Sequence, residues 1–302
     1  SNANLGPNDS EILLDNQVAQ LADEFIASED IGFRTAVYGS HFYDLDQPDG
    51  DLWQTDATFY SVHYLDETAG DIDTVQLRTG PRLSLDNENF GPKIRPFLEL
   101  DGLRSNNETL YATLGVGAEY TDTLSDTLSI FGSARVGYRN YANGADVDGD
   151  GSDDLDGPII RATIGASYFP TNDLMFRGSL FAERVFAEEL QLGTGNVNSN
   201  SSTEVTLRGS ATYSYDSGYE FAGRLWSLTG FASATYRRFD DRDPVFFETR
   251  KDGDFRIGLR HVAYLQDGVW IAAEADFLKR ASNVDIVDIN NFGGAITIGL
   301  DF

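Results

Sequence analysis

The sequence predicts an all-β protein, an antiparallel up-and-down transmembrane β-barrel of about 14 strands formed by residues 1–302 as one domain. Two observations carry this prediction. From Ile31 onward, segments of roughly 10 to 16 residues alternate apolar and polar side chains, and clusters of Asp, Asn, Gly, Ser and Pro separate them. In several segments the polar positions hold Arg, Thr, Ser and Gly, whereas a water-facing sheet would hold Lys and Glu. We therefore expect one face to contact lipid and the other to line a wet lumen.

Composition excludes several classes of function. The chain has 302 residues, a length that all-β barrels often fold as one unit. Cysteine is absent, which excludes disulfides and thiolate metal sites. Lysine plus arginine is 22 against 49 aspartate plus glutamate, a net charge of -27 that argues against a nucleic-acid partner. No apolar run approaches the roughly 20 residues of a membrane-spanning helix, but barrel strands are apolar on one face only.

Thirteen segments have the length and alternation of strand cores. Residues 5–30 precede them, and we expect a long outer loop with a short helix there, because Leu13, Val18, Leu21 and Phe25 have some helical spacing. The expected strand cores are 32–45, 52–65, 72–86, 92–104, 108–121, 127–142, 158–169, 173–187, 203–215, 224–239, 253–265, 268–280 and 291–302.

The alternation assigns a face to each side chain. On the fifth core, for example, Leu110, Leu114 and Val116 share the side that we assign to lipid. Arginine suits a narrow wet lumen because its planar guanidinium pairs across strands and stays charged. We expect Glu119, Glu183, Glu274 and Asp276 to be too few to neutralise every arginine. The charged residues assigned to the lumen are Arg78, Arg82, Arg95, Glu99, Glu119, Arg135, Arg139, Arg161, Arg177, Glu183, Arg208, Arg237, Arg256, Arg260, Glu274 and Asp276.

The last eleven residues are apolar at every second position and end on an aromatic ring, Phe302. This segment resembles the C-terminal strand of Gram-negative outer-membrane β-barrel proteins, whose assembly machinery reads that pattern. The resemblance implies that Phe302 is an assembly signal and that the protein lies in the outer membrane. Its partners would then be outer-membrane lipid and the barrel assembly machinery.

Strand parity predicts one further strand. Single-chain bacterial barrels almost always have an even number of strands, with both termini on the periplasmic side. If the last strand descends, the short links are periplasmic and the long connections near 143–157, 188–203, 240–252 and 281–290 are external. We therefore expect a fourteen-stranded barrel whose truncated first strand is represented only by its end, around residues 1–5.

That arrangement carries a family resemblance. A first strand runs into a turn with Asn2, Asn4, Gly6 and Pro7, and a long loop and thirteen strands follow. This order resembles the C-terminal barrel of the surface lipoprotein assembly modifier family. The resemblance implies tetratricopeptide-type helical repeats before the barrel and a lipoprotein client.

One acidic loop matches part of a calcium-binding motif. In residues 146–157, Asp146, Asp148, Asp150 and Asp154 stand at positions 1, 3, 5 and 9 of such a loop. Position 12 is glycine, not the bidentate Glu, so any calcium site would be weak. The alternative is a solvated acidic loop.

Enzymatic motifs are absent, and we expect no enzyme and no cofactor other than calcium. The sequence contains no GxSxG, P-loop or HExxH motif. His41, His63 and His261 are isolated and have no metal-ligand spacing. Glu274 and Asp276 lie on the expected lumen face, where arginines can neutralise them, so we interpret them as wall residues and not as a catalytic pair.

Two functions follow from the sequence. The first is a translocation or assembly module for surface-exposed lipoproteins, as the family resemblance implies. The second is a passive porin-like channel for small anionic solutes, which the lumen arginines favour. A third and weaker hypothesis is an anchoring or adhesive barrel that displays acidic loops.

Overall fold

Thirteen long strands form one antiparallel sheet in the computed structural model. The structure describes residues 11–14, 17–20, 31–46, 50–65, 71–86, 91–105, 108–142, 156–187, 191–192, 195–196, 201–219, 223–242, 248–266, 268–284 and 288–301. Within these ranges no helix has the length and apolar character needed to cross a membrane. The sheet strands are β1 (Gly32–Asp44), β2 (Leu52–Tyr64), β3 (Ile72–Ser84), β4 (Lys93–Ser105), β5 (Glu108–Ser125), β6 (Leu128–Tyr141), β7 (Gly157–Thr171), β8 (Leu174–Val185), β9 (Ser202–Tyr215), β10 (Trp226–Arg242), β11 (Thr249–Gln266), β12 (Val269–Ser282) and β13 (Ile289–Leu300).

The topology is up-and-down, because each strand pairs only with its neighbours in sequence. Each of the thirteen expected strand cores coincides with one sheet strand, and the ends differ by only a few residues. The predicted fold class, an antiparallel up-and-down barrel, is confirmed. Alternation located the strands well because every one of them separates two different environments.

The barrel is nearly closed. The edge strands β1 and β13 are not hydrogen-bonded to each other as a ladder. Their side chains nevertheless meet, since Arg34 Nη2 donates to Thr297 Oγ1 across the seam at 3.4 Å. The expected fourteenth strand, around residues 1–5, lies outside the described residues and stays a prediction.

The two faces of the sheet have opposite chemistry. Leu114, Leu207 and Ile296 on the outer face are 66%, 60% and 79% exposed. Glu99 and Thr113 on the inner face are 1% exposed. Exposed aliphatic side chains around a buried polar interior are the reverse of a water-soluble protein, and they are the arrangement of a transmembrane barrel.

The short helix expected within residues 5–30 is wrong for the part of that segment that is described. Glu11–Leu14 and Gln17–Gln20 form a two-stranded antiparallel hairpin, with Leu14 opposite Gln17. Two short apolar runs separated by Asp-Asn favour a hairpin, because Asp and Asn are turn residues. The spacing from Leu13 to Val18 also places those two residues on different faces of a helix.

The connections differ between the two ends of the barrel. Two-residue turns join β5 to β6 and β7 to β8 at the end that we call the short-turn end. The connection between β8 and β9, at the opposite long-connection end, is longer and contains a small hairpin of Gln191–Leu192 with Gly195–Asn196.

Candidate lumen site

An inner-wall carboxylate on β4, Glu99, is the centre of an ionic cluster. Arg78 on β3 donates from Nη2 at 2.8 Å and from Nε at 3.0 Å to Glu99 Oε2. Gln76 Nε2 donates to Glu99 Oε1 at 3.1 Å, and Arg135 on β6 forms an ion pair with the same oxygen. Strands β3 and β6 are thus both tied to one buried carboxylate on β4.

Two glycines on β5 leave the space through which Arg135 on β6 reaches Glu99 on β4. Gly115 lies opposite Glu99, and Gly117 lies opposite Arg135. A Cβ added at Gly117 would lie 2.5 Å from the Ala134 carbonyl oxygen and 2.6 Å from Phe97 Cζ. Because β5 has no side chains at these positions, the Arg135 guanidinium can cross it to reach β4.

Arg135 is held deep in the wall. Its side chain is 5% exposed, and its Nη1 donates to Asp101 Oδ2 at 2.9 Å. Its Nε and Nη2 have no hydrogen-bond partner among the residues that the structure describes. A buried guanidinium depends on its paired carboxylates, because transfer of an unpaired charge from water is costly.

A second inner-wall pair joins β2 and β4. Arg95 Nη1 donates to Asp56 Oδ2 at 2.5 Å, and Arg95 Nη2 donates to the Gln54 carbonyl oxygen at 3.0 Å. Asp56 also accepts a hydrogen bond from Ser40 on β1 at 2.6 Å. These contacts continue the network toward the first edge of the sheet.

Ion pairs also tie the strands of the second half together. Arg280 on β12 makes a bidentate contact with Asp254 on β11, at 2.7 and 2.8 Å. Arg256 donates to Asp276 at 2.7 Å, and its Nη2 lies 3.6 Å from Glu274 Oε1. Two further pairs are Arg237 with Glu204 and Arg161 with Glu183.

Other lumen arginines are held by aromatic rings. Arg177 Cζ lies 4.5 Å from the centroid of the Phe131 ring. Arg208 and Arg260 lie over Phe181 and Trp270, at 5.6 and 5.8 Å. Within the described strands these three arginines make no ion pair, so their charge is available to a mobile anion.

Arg139 and Arg82 complete the expected arginine set. Arg139 is buried and donates from Nε to Thr113 Oγ1 at 3.4 Å, with its Cζ 4.1 Å from the Tyr111 ring centroid. Arg82 lies near the short-turn end and lines a cavity of about 570 Å³ together with Arg177 and Glu119.

The structure places the expected lumen residues on one face, but the charge balance differs from the expectation. Several carboxylates that the sequence analysis did not assign to the lumen take part in the pairs. They are isolated acids within mixed polar segments, so no local motif marks them, although strand parity with a lumen residue of the same segment would have placed all of them except Asp56. These residues are Asp56, Asp101, Glu204, Asp252 and Asp254.

Two expected sites lie outside the described residues. One is the calcium loop with Asp146, Asp148, Asp150 and Asp154, and the other is the assembly signal at Phe302. Elsewhere in the described ranges, no group of three or more His, Cys, Asp or Glu could hold a metal ion.

The histidines contact neighbouring wall residues. His63 Nδ1 lies 3.1 Å from Asp71 Oδ2, and its Nε2 lies 3.3 Å from Asp73 Oδ1. His261 Nε2 and the Tyr215 hydroxyl are 2.6 Å apart. His63 therefore lies between two carboxylates, and His261 contacts a tyrosine hydroxyl.

The arrangement as a whole is that of an outer-membrane-type barrel. Apolar side chains cover the outside, whereas ion pairs and ring-stacked arginines fill the inside. In lipid only a helix or a closed barrel satisfies its backbone, and single-chain barrels of this kind belong to the outer membrane. The chain is therefore an outer-membrane β-barrel.

Comparison with known proteins gives structural likenesses only. No family model matches the sequence. No curated protein matches it either. Among solved structures, the chain is similar to a bacterial polysaccharide outer membrane secretin, with 12% identity, a TM-score of 0.42, and coverage of 90% of this chain and 98% of the other.

Two further solved structures are similar. The beta domain of the Bordetella autotransporter BrkA has 13% identity and a TM-score of 0.32, with coverage of 88% of this chain and 95% of the other. Pseudomonas aeruginosa OpdL has 12% identity and a TM-score of 0.33, with coverage of 90% and 93%.

Proposed function

We propose that this barrel is a translocation or assembly module that delivers lipoproteins to the cell surface. The observation that supports it is the seam between β1 and β13. Within the described residues, no strand pairs with the free edge of either one. In this proposal the seam serves as a lateral route between the lumen and the surrounding lipid.

A lipid-anchored client needs such a route. Each buried CH₂ group of an acyl chain contributes about 0.8 kcal/mol to membrane binding, so the acyl chains stay in the hydrocarbon. The lumen wall, by contrast, carries ion pairs such as Arg78 with Glu99 and Arg256 with Asp276. A polypeptide that crosses through the lumen can keep its acyl chains in lipid only if the wall opens sideways.

Cross-linking of the seam tests this proposal. The chain has no cysteine, so Arg34→Cys with Thr297→Cys gives a single thiol pair across the seam. A short reducible bifunctional reagent should block the appearance of a lipoprotein on the cell surface, and reduction should restore it. The matched control is Thr58→Cys with Gln76→Cys, which joins two strands that are already paired. Unchanged export with a fully cross-linked seam would contradict the proposal.

The second candidate is a passive channel for small anionic solutes, and the ring-stacked arginines favour it. Arg177 and Arg208 are exposed to the lumen and have no carboxylate partner among the described strands. Positive charge on a pore wall raises the local concentration of anions. Arg135 cannot act in this way because Glu99 and Asp101 hold it.

Planar-bilayer recordings distinguish the second candidate from the first. An open channel should be anion-selective, and Arg208→Ser should lower the ratio of anion to cation permeability. Arg238→Ser, which removes the same charge from the outer face, should leave the ratio unchanged. Two results together would refute the channel. The purified barrel would conduct little in the bilayer, and cells from which the gene for the barrel is deleted would lose a surface lipoprotein.

Both candidates require a membrane. The exposed apolar outer face far exceeds the few hundred Å² that a soluble protein tolerates. We expect the chain to need detergent and to show a strand-rich, heat-modifiable form on electrophoresis. A monodisperse monomer in plain buffer would contradict the membrane assignment.

A further inference from the structure

Basic side chains form a row on the outer face of the barrel, at the long-connection end of β8 to β11. In the register of the sheet, Arg184 lies opposite Thr203, Thr203 lies opposite Arg238, and Arg238 lies opposite Lys251. With strands about 4.8 Å apart, this basic row extends for about 14 Å. Lys279 on the next strand also faces outward.

The outward direction of the basic row follows from its neighbours in sequence. Arg237 and Asp252, which flank Arg238 and Lys251, point inward and take part in lumen ion pairs. Successive strand residues face opposite sides, so Arg238 and Lys251 face the membrane side. Both are exposed, and so is Lys279.

The positive charge of the row is only partly neutralised. Arg184 forms an ion pair with Asp240, with Nη1 donating to Oδ1 at 2.8 Å and to Thr203 Oγ1 at 2.9 Å. The side chains of Arg238 and Lys251 make no ion pair within the described part of the chain. A protein with a net charge of -27 and only three lysines thus places two lysines on the outer face of two adjacent strands, β11 and β12.

The row adjoins the apolar band. On β11, Phe255 and Ile257 follow Lys251 on the outer face and are 47% and 49% exposed. On β10, Tyr236 precedes Arg238 on the same face and is 51% exposed. Basic side chains beside a lipid-facing apolar band lie at headgroup depth, where their flexible stems can carry the charge toward phosphate.

We propose that the basic row binds the phosphate groups of membrane lipids in the leaflet on the long-connection side. Arg184 would stay with Asp240, while Arg238 and Lys251 would contact lipid phosphate through charge-assisted hydrogen bonds. This site lies outside the lumen and does not depend on either proposed function.

Lipid binding to the intact chain in detergent micelles tests the proposal. Native mass spectrometry would measure adducts of lipid A, which carries phosphate, and of the same lipid after dephosphorylation. We expect R238Q/K251Q to weaken lipid A binding by about tenfold or more, since each basic residue near an anionic lipid surface contributes to binding. R177Q/R208Q removes the same charge from the lumen and should leave binding unchanged.

Two further measurements make the test independent of folding. Each variant should first show the heat-modifiable form, and lipid A binding to the unaltered chain should fall as NaCl concentration rises. Inorganic phosphate at the lipid's concentration should not displace lipid A if the row binds phosphate within a membrane headgroup. Any of four results would overturn the proposal. They are equal binding of dephosphorylated lipid, binding that does not depend on salt, displacement of lipid A by inorganic phosphate, and an equal loss of lipid A binding in the lumen variant.

Discussion

Replacement of Glu99 by Gln should destabilise the barrel more than any other single loss of charge in the lumen. Glu99 is 1% exposed, accepts hydrogen bonds from Arg78 and Gln76, and forms an ion pair with Arg135. The amide keeps the size but removes the charge and adds a donor, and Arg135 then retains only Asp101. Removal of one partner from a buried ion pair costs about 3–5 kcal/mol, and we expect a loss of that order in the free energy of unfolding.

Urea unfolding in detergent micelles, followed by tryptophan fluorescence, would measure this loss. The matched control is Glu119→Gln, because Glu119 is 32% exposed and makes one contact with Arg78 at 3.2 Å. An exposed pair contributes about 1 kcal/mol or less. Addition of Arg135→Met to Glu99→Gln should recover only part of the stability. It removes the guanidinium that has lost Glu99, but it also removes the ion-pair partner of Asp101. Equal losses for Glu99→Gln and Glu119→Gln would refute the reasoning.

Two further predictions concern the faces of β5. Leu114→Arg, at a lipid-facing position near mid-strand, should lower the free energy of unfolding from lipid vesicles by about 2–4 kcal/mol. Leu124→Arg, near the short-turn end, should lower it by about 0–1 kcal/mol. Similar losses at both positions would mean that the strand is placed at the wrong depth. Gly117→Ala should lower the free energy of unfolding by about 1–3 kcal/mol in the urea titration in micelles, because its Cβ would lie 2.5 Å from a carbonyl oxygen. Gly209→Ala, whose Cβ would have nothing within 4 Å, should change that free energy by less than about 0.5 kcal/mol. A neutral Gly117→Ala variant would show that β5 does not need the open wall there.

The sequence predicts the strands of this barrel well and its ion pairs poorly, for a physical reason. Alternation reports which environment each side chain faces, so all strand cores and the inner position of Arg135 follow from it. A pair such as Arg135 with Glu99 depends on register across two strand boundaries and on the space left by Gly117. Neither quantity is local in sequence, so alternation gives the face of each charged residue but not its ion-pair partner.

The seam links the strand count to the choice between the two functions. Thirteen up-and-down strands leave β1 and β13 running in the same direction, so direct closure would require a parallel ladder in an otherwise antiparallel sheet. One ascending strand between them would instead close the wall with antiparallel pairs alone. If such a strand pairs stably on both sides, the wall is sealed and only the lumen connects the two sides of the membrane, as a channel requires. If it pairs weakly, the wall opens to lipid, as a carrier of lipid-anchored clients requires. The strength of pairing at the seam therefore separates the two proposed functions more directly than the charges of the lumen.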